Sequence, residues 1–132
     1  MKKGEIKQTV QFMASPEEVY ELLINAEKYQ AFIGGEVIMN PIVGGKFSVF
    51  DGYCHGTNLI LEKGKKIVQH WHFAEDGWPD DHMSVCSFLF QPDPQGCKLV
   101  FKQTGVPIHK VEDLAAGWIQ YYWEPMKEAL VN

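Results

Sequence analysis

From Glu36 to Pro107 the chain is cut at close intervals by turn-forming residues. Six segments of strand character, EVIMN, GGKFSVF, YCHGTNLILEK, KKIVQHWHF, HMSVCSFLFQ and CKLVFKQT, are punctuated by Pro41, Gly44-Gly45, Asp51-Gly52, Gly64 and a PDPQG stretch. Strands joined by so few residues run antiparallel, because a parallel return needs a crossover of a dozen residues or more. This punctuation predicts one antiparallel sheet closed near Gly105 and Pro107. A further strand precedes it, where Ile6, Val10 and Phe12 alternate loosely with polar residues.

Two helices fall between that first strand and the rest. Ser15 is a natural N-cap, Pro16 suits the first helical position, and Glu17 and Glu18 face the positive end of the helix dipole. Val19, Leu22, Leu23 and Ala26 supply the apolar stripe. A second short helix is expected from Ala26 to Phe32, stopped by Gly34-Gly35. A long helix is expected over about Val111 to Val131, with Leu114, Trp118, Tyr121 or Tyr122, Pro125 and Ala129 at helical spacing. Gly117 reads as a place where the backbone comes close, and Pro125 as a kink. The fold class is therefore α+β: a curved antiparallel sheet of about seven strands around a long C-terminal helix, with two short helices after the first strand, in one domain over 1–132.

The period of two along each strand assigns the faces. Ile67, Gln69, Trp71 and Phe73 share one side and should face the helix, as should Ser84, Cys86, Phe88 and Phe90, and Leu99, Phe101 and Gln103. A kinked helix on a curved sheet can leave a void. The expected lining of such a cavity is Trp71, Phe73, Ser84, Phe88, Phe90, Phe101, Trp118 and Tyr122. Tyr122, Gln69, Gln103 and Ser84 offer the few polar contacts that pockets use, and a ligand site of this kind should hold ~300 Å³ or more. Trp123 falls off the helical stripe and Trp78 lies in the EDGWPDD loop, so both are expected to be exposed as a partner surface.

Charge excludes some partners. The net charge is −5 and every basic residue is Lys, so neither the clustered cations of a nucleic-acid or anionic-membrane surface nor a bidentate Arg clamp is available. Cys54, Cys86 and Cys97 are odd in number and widely spaced, which fits reduced thiols. With no apolar leader and no run long enough to span a bilayer, the expected location is the cytoplasm.

Three stretches carry a resemblance: GGKFSVFDGYCHGTNLILEKGKKIVQHWHF, WPDDHMSVCSFLF and GVPIHKVEDLAAGWIQYYWEPMKEAL. Together they resemble the C-terminal domain of the activator of heat-shock protein 90 ATPase. That domain belongs to the helix-grip superfamily, also called START-like or SRPBCC, with the plant pathogenesis-related allergens and polyketide cyclases. The tail is the most specific part: Gly105-Val106-Pro107, Gly117-Trp118 and Tyr121-Tyr122. The resemblance implies the helix-grip fold and a co-chaperone-like modulator of a heat-shock protein 90 homologue, here as a solo domain without the domain that precedes it in the eukaryotic co-chaperone.

Catalytic and metal-binding patterns are weak. His55, His70, His72, His82 and Cys54 could gather ligands, yet His70 and His72 point outward and read as surface histidines. Cys86 is expected inside, where apolar surroundings make a thiol inert. There is no GxSxG elbow, and the two Gly-Gly pairs lack the helix and Lys of a phosphate loop. Asp76, Asp80, Asp81 and Asp93 read as loop caps, and Glu124 and Glu128 as solvent-facing. No catalytic residue, metal or cofactor is assigned. The expectation is a non-enzymatic binding protein; the alternative is a carrier or sensor of a small hydrophobic ligand held between sheet and helix.

Overall fold

The computed structural model describes residues 2–130. Strand β1 spans Lys3–Phe12, helices α1 and α2 span Pro16–Ile24 and Ala26–Ile33, and six strands come after them: β2 Val37–Met39, β3 Lys46–Val49, β4 Cys54–Glu62, β5 Lys66–Phe73, β6 Ser84–Asp93 and β7 Gly96–Pro107. All pair antiparallel in one seven-stranded sheet of order β1-β7-β6-β5-β4-β3-β2. The two helices make the one long connection, carrying the chain from β1 at one edge to β2 at the other.

Local chemistry explains the helix ends. Ser15 Oγ accepts the Glu18 amide at 3.2 Å while the Glu18 carboxylate accepts the Ser15 amide at 3.1 Å, a reciprocal capping box. Asn25 ends α1 and caps α2, accepting the Lys28 amide at 3.1 Å. Gly34, at φ 81°, stops α2 in the left-handed region open to a residue without Cβ.

The inward sets expected for β5, β6 and β7 are buried: Ile67, Gln69, Trp71 and Phe73, then Ser84, Cys86, Phe88 and Phe90, then Leu99, Phe101 and Gln103. Trp71 stands between Gly56 on β4 and Ser84 on β6, two small neighbours that give its indole room. Gly56 has no substitute, since a side-chain carbon there would fall 1.7 Å from the His70 carbonyl oxygen.

The chain then covers this face with a 3₁₀ turn (Ile108–Lys110), helix α3 (Val111–Trp118), a π turn (Ile119–Trp123) and helix α4 (Glu124–Leu130). The expected end at Val131 lies outside the described residues. The irregularity expected at Pro125 takes the form of the wide turn just before it, where the Glu124 amide donates to the Ile119 carbonyl five residues back. Pro125 has no N–H to donate in either register, so a changeover there sacrifices no additional hydrogen bond.

The extra residue in that turn rotates the remainder of the helix. Trp118, Tyr122, Trp123 and Met126 are buried, whereas Tyr121 is 49% exposed and Ala129 faces solvent. This corrects the expectation that Trp123 is exposed: a regular helix places it off the stripe, but the π turn brings both Tyr122 and Trp123 inward. Trp78 is likewise buried and not a surface residue. Its loop folds back so that its ring packs on Phe73 at 5.0 Å, and its indole N–H donates to the His82 carbonyl at 2.8 Å. No helix among the described residues is long and apolar enough to cross a membrane.

Candidate functional site

The inward polar residues of the sheet form two relays. The Trp118 indole N–H donates to Gln103 Oε1 at 2.9 Å, Gln103 Nε2 donates to Ser84 Oγ at 2.9 Å, and Ser84 Oγ donates to the Trp71 carbonyl at 3.1 Å. The Trp71 indole N–H donates to Gln69 Oε1 at 2.8 Å, Gln69 Nε2 to Asn58 Oδ1 at 2.9 Å, and Asn58 Nδ2 to the Asn40 carbonyl at 2.8 Å. Asn58, Gln69, Ser84 and Gln103 are all buried, and among the described residues no buried side-chain nitrogen or oxygen lacks a partner. They serve the indoles of the core and are not free to address a ligand.

On β1, Gln8 does the same for the far side of the helix. Its Oε1 accepts the Trp123 indole N–H at 2.6 Å, and its Nε2 donates to the Ala115 carbonyl at 2.9 Å. Trp118 and Trp123 stack with 19° between their planes, and Phe101 meets both. The ring layer of this half is solid, with a polar cleft at its rim between β1 and the helix, lined by Gln8, Gln11, Trp123, Glu124 and Lys127.

The other half is not. Between α3 and the ends of β3, β4 and β5 lies a pocket of about 220 Å³. Its floor is Trp71, Phe73, Cys54, Trp118 and Tyr122; Leu114, Gly117 and Tyr121 form the helical wall, with Phe50 and Tyr53 opposite. Polar groups gather at one side. Lys110 Nζ lies 3.3 Å from Glu75 Oε1 with both side chains only 19% exposed, the Tyr53 hydroxyl donates to Glu75, and Asp113 stands nearby. Burial and then the Glu75 carboxylate push the Tyr53 phenol well up, and burial pushes the Cys54 thiol well above its ordinary value.

Of the eight residues expected to line a cavity, Trp71, Phe73, Trp118 and Tyr122 line this pocket. Ser84, Phe88, Phe90 and Phe101 do not: Ser84 is buried at the start of β6 beside Trp71, its hydroxyl taken up by Gln103 and the Trp71 carbonyl, and the three phenylalanines lie farther along β6 and β7 in the filled half of the core. Sequence reasoning missed the rest of the lining: Phe50, Tyr53 and Cys54, the polar Glu75, Lys110 and Asp113, and Leu114, Gly117 and Tyr121 on the helix. Leu114, Gly117 and Tyr121 recur at i, i+3 and i+7, so one helix face carrying a glycine was a readable signal. Phe50 left no such mark; it sits at φ 55°, beside Asp51 at φ 56°, in a turn that few bulky residues adopt.

Gly117 also differs from its expected role. A side-chain carbon there would meet only Tyr121 Cδ2, at 3.9 Å, so nothing approaches the backbone closely. Glycine inside a helix is destabilising by ~1 kcal/mol relative to alanine, and here neither φ nor crowding requires it. What it leaves open is the pocket wall.

A buried pair closes the pocket toward α2. Tyr29 and Tyr122 hydroxyls lie 2.5 Å apart, and Tyr29 stacks on Phe32. Burial raises both phenols well above their ordinary value. Elsewhere, His55 and His72 face each other across β4 and β5 at 4.9 Å. Burial lowers His55, with His72 adding to the effect. His72 Nδ1 donates to the His82 carbonyl and His82 Nε2 to the Gly105 carbonyl, so these rings tie the 74–83 loop to the sheet. Among the described residues no group of three or more His, Cys, Asp or Glu side chains could hold a metal ion. Cys54, Cys86 and Cys97 are all free and buried.

The family described as Activator of Hsp90 ATPase homolog 1-like protein matches residues 13–131, and the chain belongs to that family. It is 32% identical over 117 residues to the human activator of 90 kDa heat shock protein ATPase homolog 1, covering 89% of this chain and 34% of the relative. It is 33% identical over 114 residues to the Dictyostelium discoideum activator of 90 kDa heat shock protein ATPase homolog, covering 86% of this chain and 29% of the relative. The chain thus spans about a third of the length of these curated relatives. An HSP90 activator from Plasmodium falciparum has the same fold, with a TM-score of 0.82 at 24% identity over 97% of this chain and 95% of that one. A protein from Mesorhizobium loti matches equally, with a TM-score of 0.82 at 22% identity over 96% of each chain.

Proposed function

We propose that this member of the family is a non-enzymatic, chaperone-binding module that modulates the ATPase of a 90 kDa heat shock protein. The observation that carries the reading is the family match over residues 13–131, with 32% identity to a relative named for activating that ATPase. The site chemistry agrees with a binding role. Glu75 and Lys110 are engaged with each other, the thiol beside them is held protonated by burial, and the polar residues of the sheet are consumed by indoles. With Trp78 and Trp123 buried, the docking surface is made of other residues.

The test is the steady-state ATP turnover of the chaperone from the same source, titrated with this chain. A saturable rise in rate, together with a complex seen by calorimetry, is expected. An unchanged rate at saturating chain and no heat of binding would overturn the proposal.

A second reading, a carrier or sensor of a small apolar ligand, is favoured by the pocket beneath α3. At about 220 Å³ it is smaller than the ~300 Å³ expected of a drug-sized site, which limits what it can admit.

A further inference from the structure

We propose that the pocket beneath α3 binds a small neutral aromatic molecule carrying a hydrogen-bond acceptor such as a carbonyl oxygen. The proposal rests on the carrier reading and names the ligand chemistry of that site.

Size and wall set the body of the ligand. A dry apolar cavity of ~150 Å³ takes up benzene. A pocket of about 220 Å³ therefore admits one ring with a short substituent, or two fused rings. The indoles of Trp71 and Trp118, 5.2 Å apart, and the ring of Tyr122, 4.5 Å from Trp118, present faces and edges that favour an aromatic guest.

Gly117 is the second observation. It interrupts a helix where alanine would fit, and the space it leaves belongs to the pocket. A chain under no demand to keep that space open gains from filling it.

The third observation sets the polar requirement. Tyr29 and Tyr122 bring two hydroxyl protons to one shared bond, and neither has another partner among the described residues. One proton is therefore left without an acceptor. When Tyr29 donates to Tyr122, the spare proton is on Tyr122, which lines the pocket, as Tyr29 does not. Both phenols stay protonated because burial raises them. A guest with an acceptor oxygen takes that proton. A neutral guest fits: Lys110 is already engaged by Glu75, and the Asp113 carboxylate beside them repels an anion.

The probes are 1-indanone and indane, two bicycles of one shape that differ by the ketone oxygen. They are titrated into the full chain while the indole N–H resonances of Trp71 and Trp118 are monitored by NMR. Both probes should shift these resonances. Gly117→Leu, which fills the pocket without straining the helix, should weaken both at least tenfold. Tyr122→Phe should weaken indanone at least fivefold more than indane, while Tyr29→Phe leaves their ratio unchanged. Should Tyr122→Phe fail to fold, the infrared carbonyl band of bound indanone decides: it lies below its position in alkane if the phenol donates. No shift with either probe up to its solubility overturns the ligand site together with the carrier reading. If both bind but Tyr122→Phe weakens them equally, or the carbonyl band stays at its alkane position, the acceptor requirement falls and the carrier reading stands.

Discussion

Against β1, β6 and β7 the rings of the terminal helix pack closely and leave a polar cleft at the rim, whereas against the ends of β4 and β5 the same helix stands off and leaves an apolar pocket. Aromatic side chains line both sides, so ring content does not decide which side closes. The difference lies in what meets the rings. In the filled half, each indole N–H of the helix finds a glutamine from the sheet, Gln103 for Trp118 and Gln8 for Trp123, and the π turn swings the second indole into place. In the open half, the helix presents Gly117 and the half-exposed Tyr121, and the tyrosine pair shares a single bond. Closure of a helix onto a sheet here depends on satisfying buried polar atoms, and on whether the helix carries a side chain at the point of contact.

The largest test of that contrast removes the rings of the filled half. Trp118→Ala and Trp123→Ala should each lower stability by ~3–5 kcal/mol in denaturant unfolding, from the lost volume and the glutamine left without its donor. A loss below ~1 kcal/mol for either would place that ring at the surface and erase the distinction between the halves. Truncating exposed Tyr121 to alanine should change stability far less.

Alkaline titration compares the halves through their thiols. Cys86 lies in the filled core and Cys54 lines the pocket, and burial raises both above the ordinary thiol value of ~8.5 to 9. The native state keeps these protons where the unfolded chain releases them, so the unfolded state binds fewer. The stabilisation is complete below the ordinary value and is lost as pH rises above it, by ~1.4 kcal/mol per pH unit for each group that stays protonated. Tyr29 and Tyr122 add to the fall above ~10. Unfolding free energies measured from pH 8 to 11 should therefore decline, and Cys86→Ala and Cys54→Ala should each flatten the slope. A slope unchanged by Cys54→Ala would mean that water in the pocket solvates its thiolate.

Gln103→Leu isolates the polar contribution to closure. It keeps the volume of the core and strips a partner from both Trp118 and Ser84, so a loss of ~1–3 kcal/mol is expected by thermal or chemical unfolding. A neutral result would show that packing alone closes that side.

Much of the fold is legible in the sequence, for local reasons. Turn residues such as Asp51-Gly52 and Gly64 mark where strands must reverse, and the period of two places Trp71, Phe88 and Phe101 inside because those signals act over a few residues. The features that escape a sequence reading depend on distant partners. Trp123 is buried because a wide turn forms in the helix and because Gln8, 115 residues away, receives its indole proton. Trp78 is buried because its loop closes on the His82 carbonyl, a contact that composition rich in Asp, Gly and Pro does not announce. The sequence points to the right helix and the right strands for the pocket, but its extent depends on Phe50 and Tyr53, in and beside a turn of unusual φ.

The smallest effect is the most informative about the open half. Gly117→Ala adds one methyl group in a helix whose nearest other atom at that point is Tyr121 Cδ2, 3.9 Å away. Alanine loses less backbone freedom on folding than glycine, so the variant should be more stable by ~0.5–1 kcal/mol, seen as a higher denaturant midpoint with an unchanged slope. The same change in a packed contact would crowd its neighbours and lower the midpoint, as overpacking does. A destabilised Gly117→Ala would therefore mean that helix and sheet touch where a pocket now separates them, and the contrast between the two halves would disappear. A stabilised one would leave a glycine that folding does not need, at the wall of an apolar opening beside the core indoles Trp71 and Trp118.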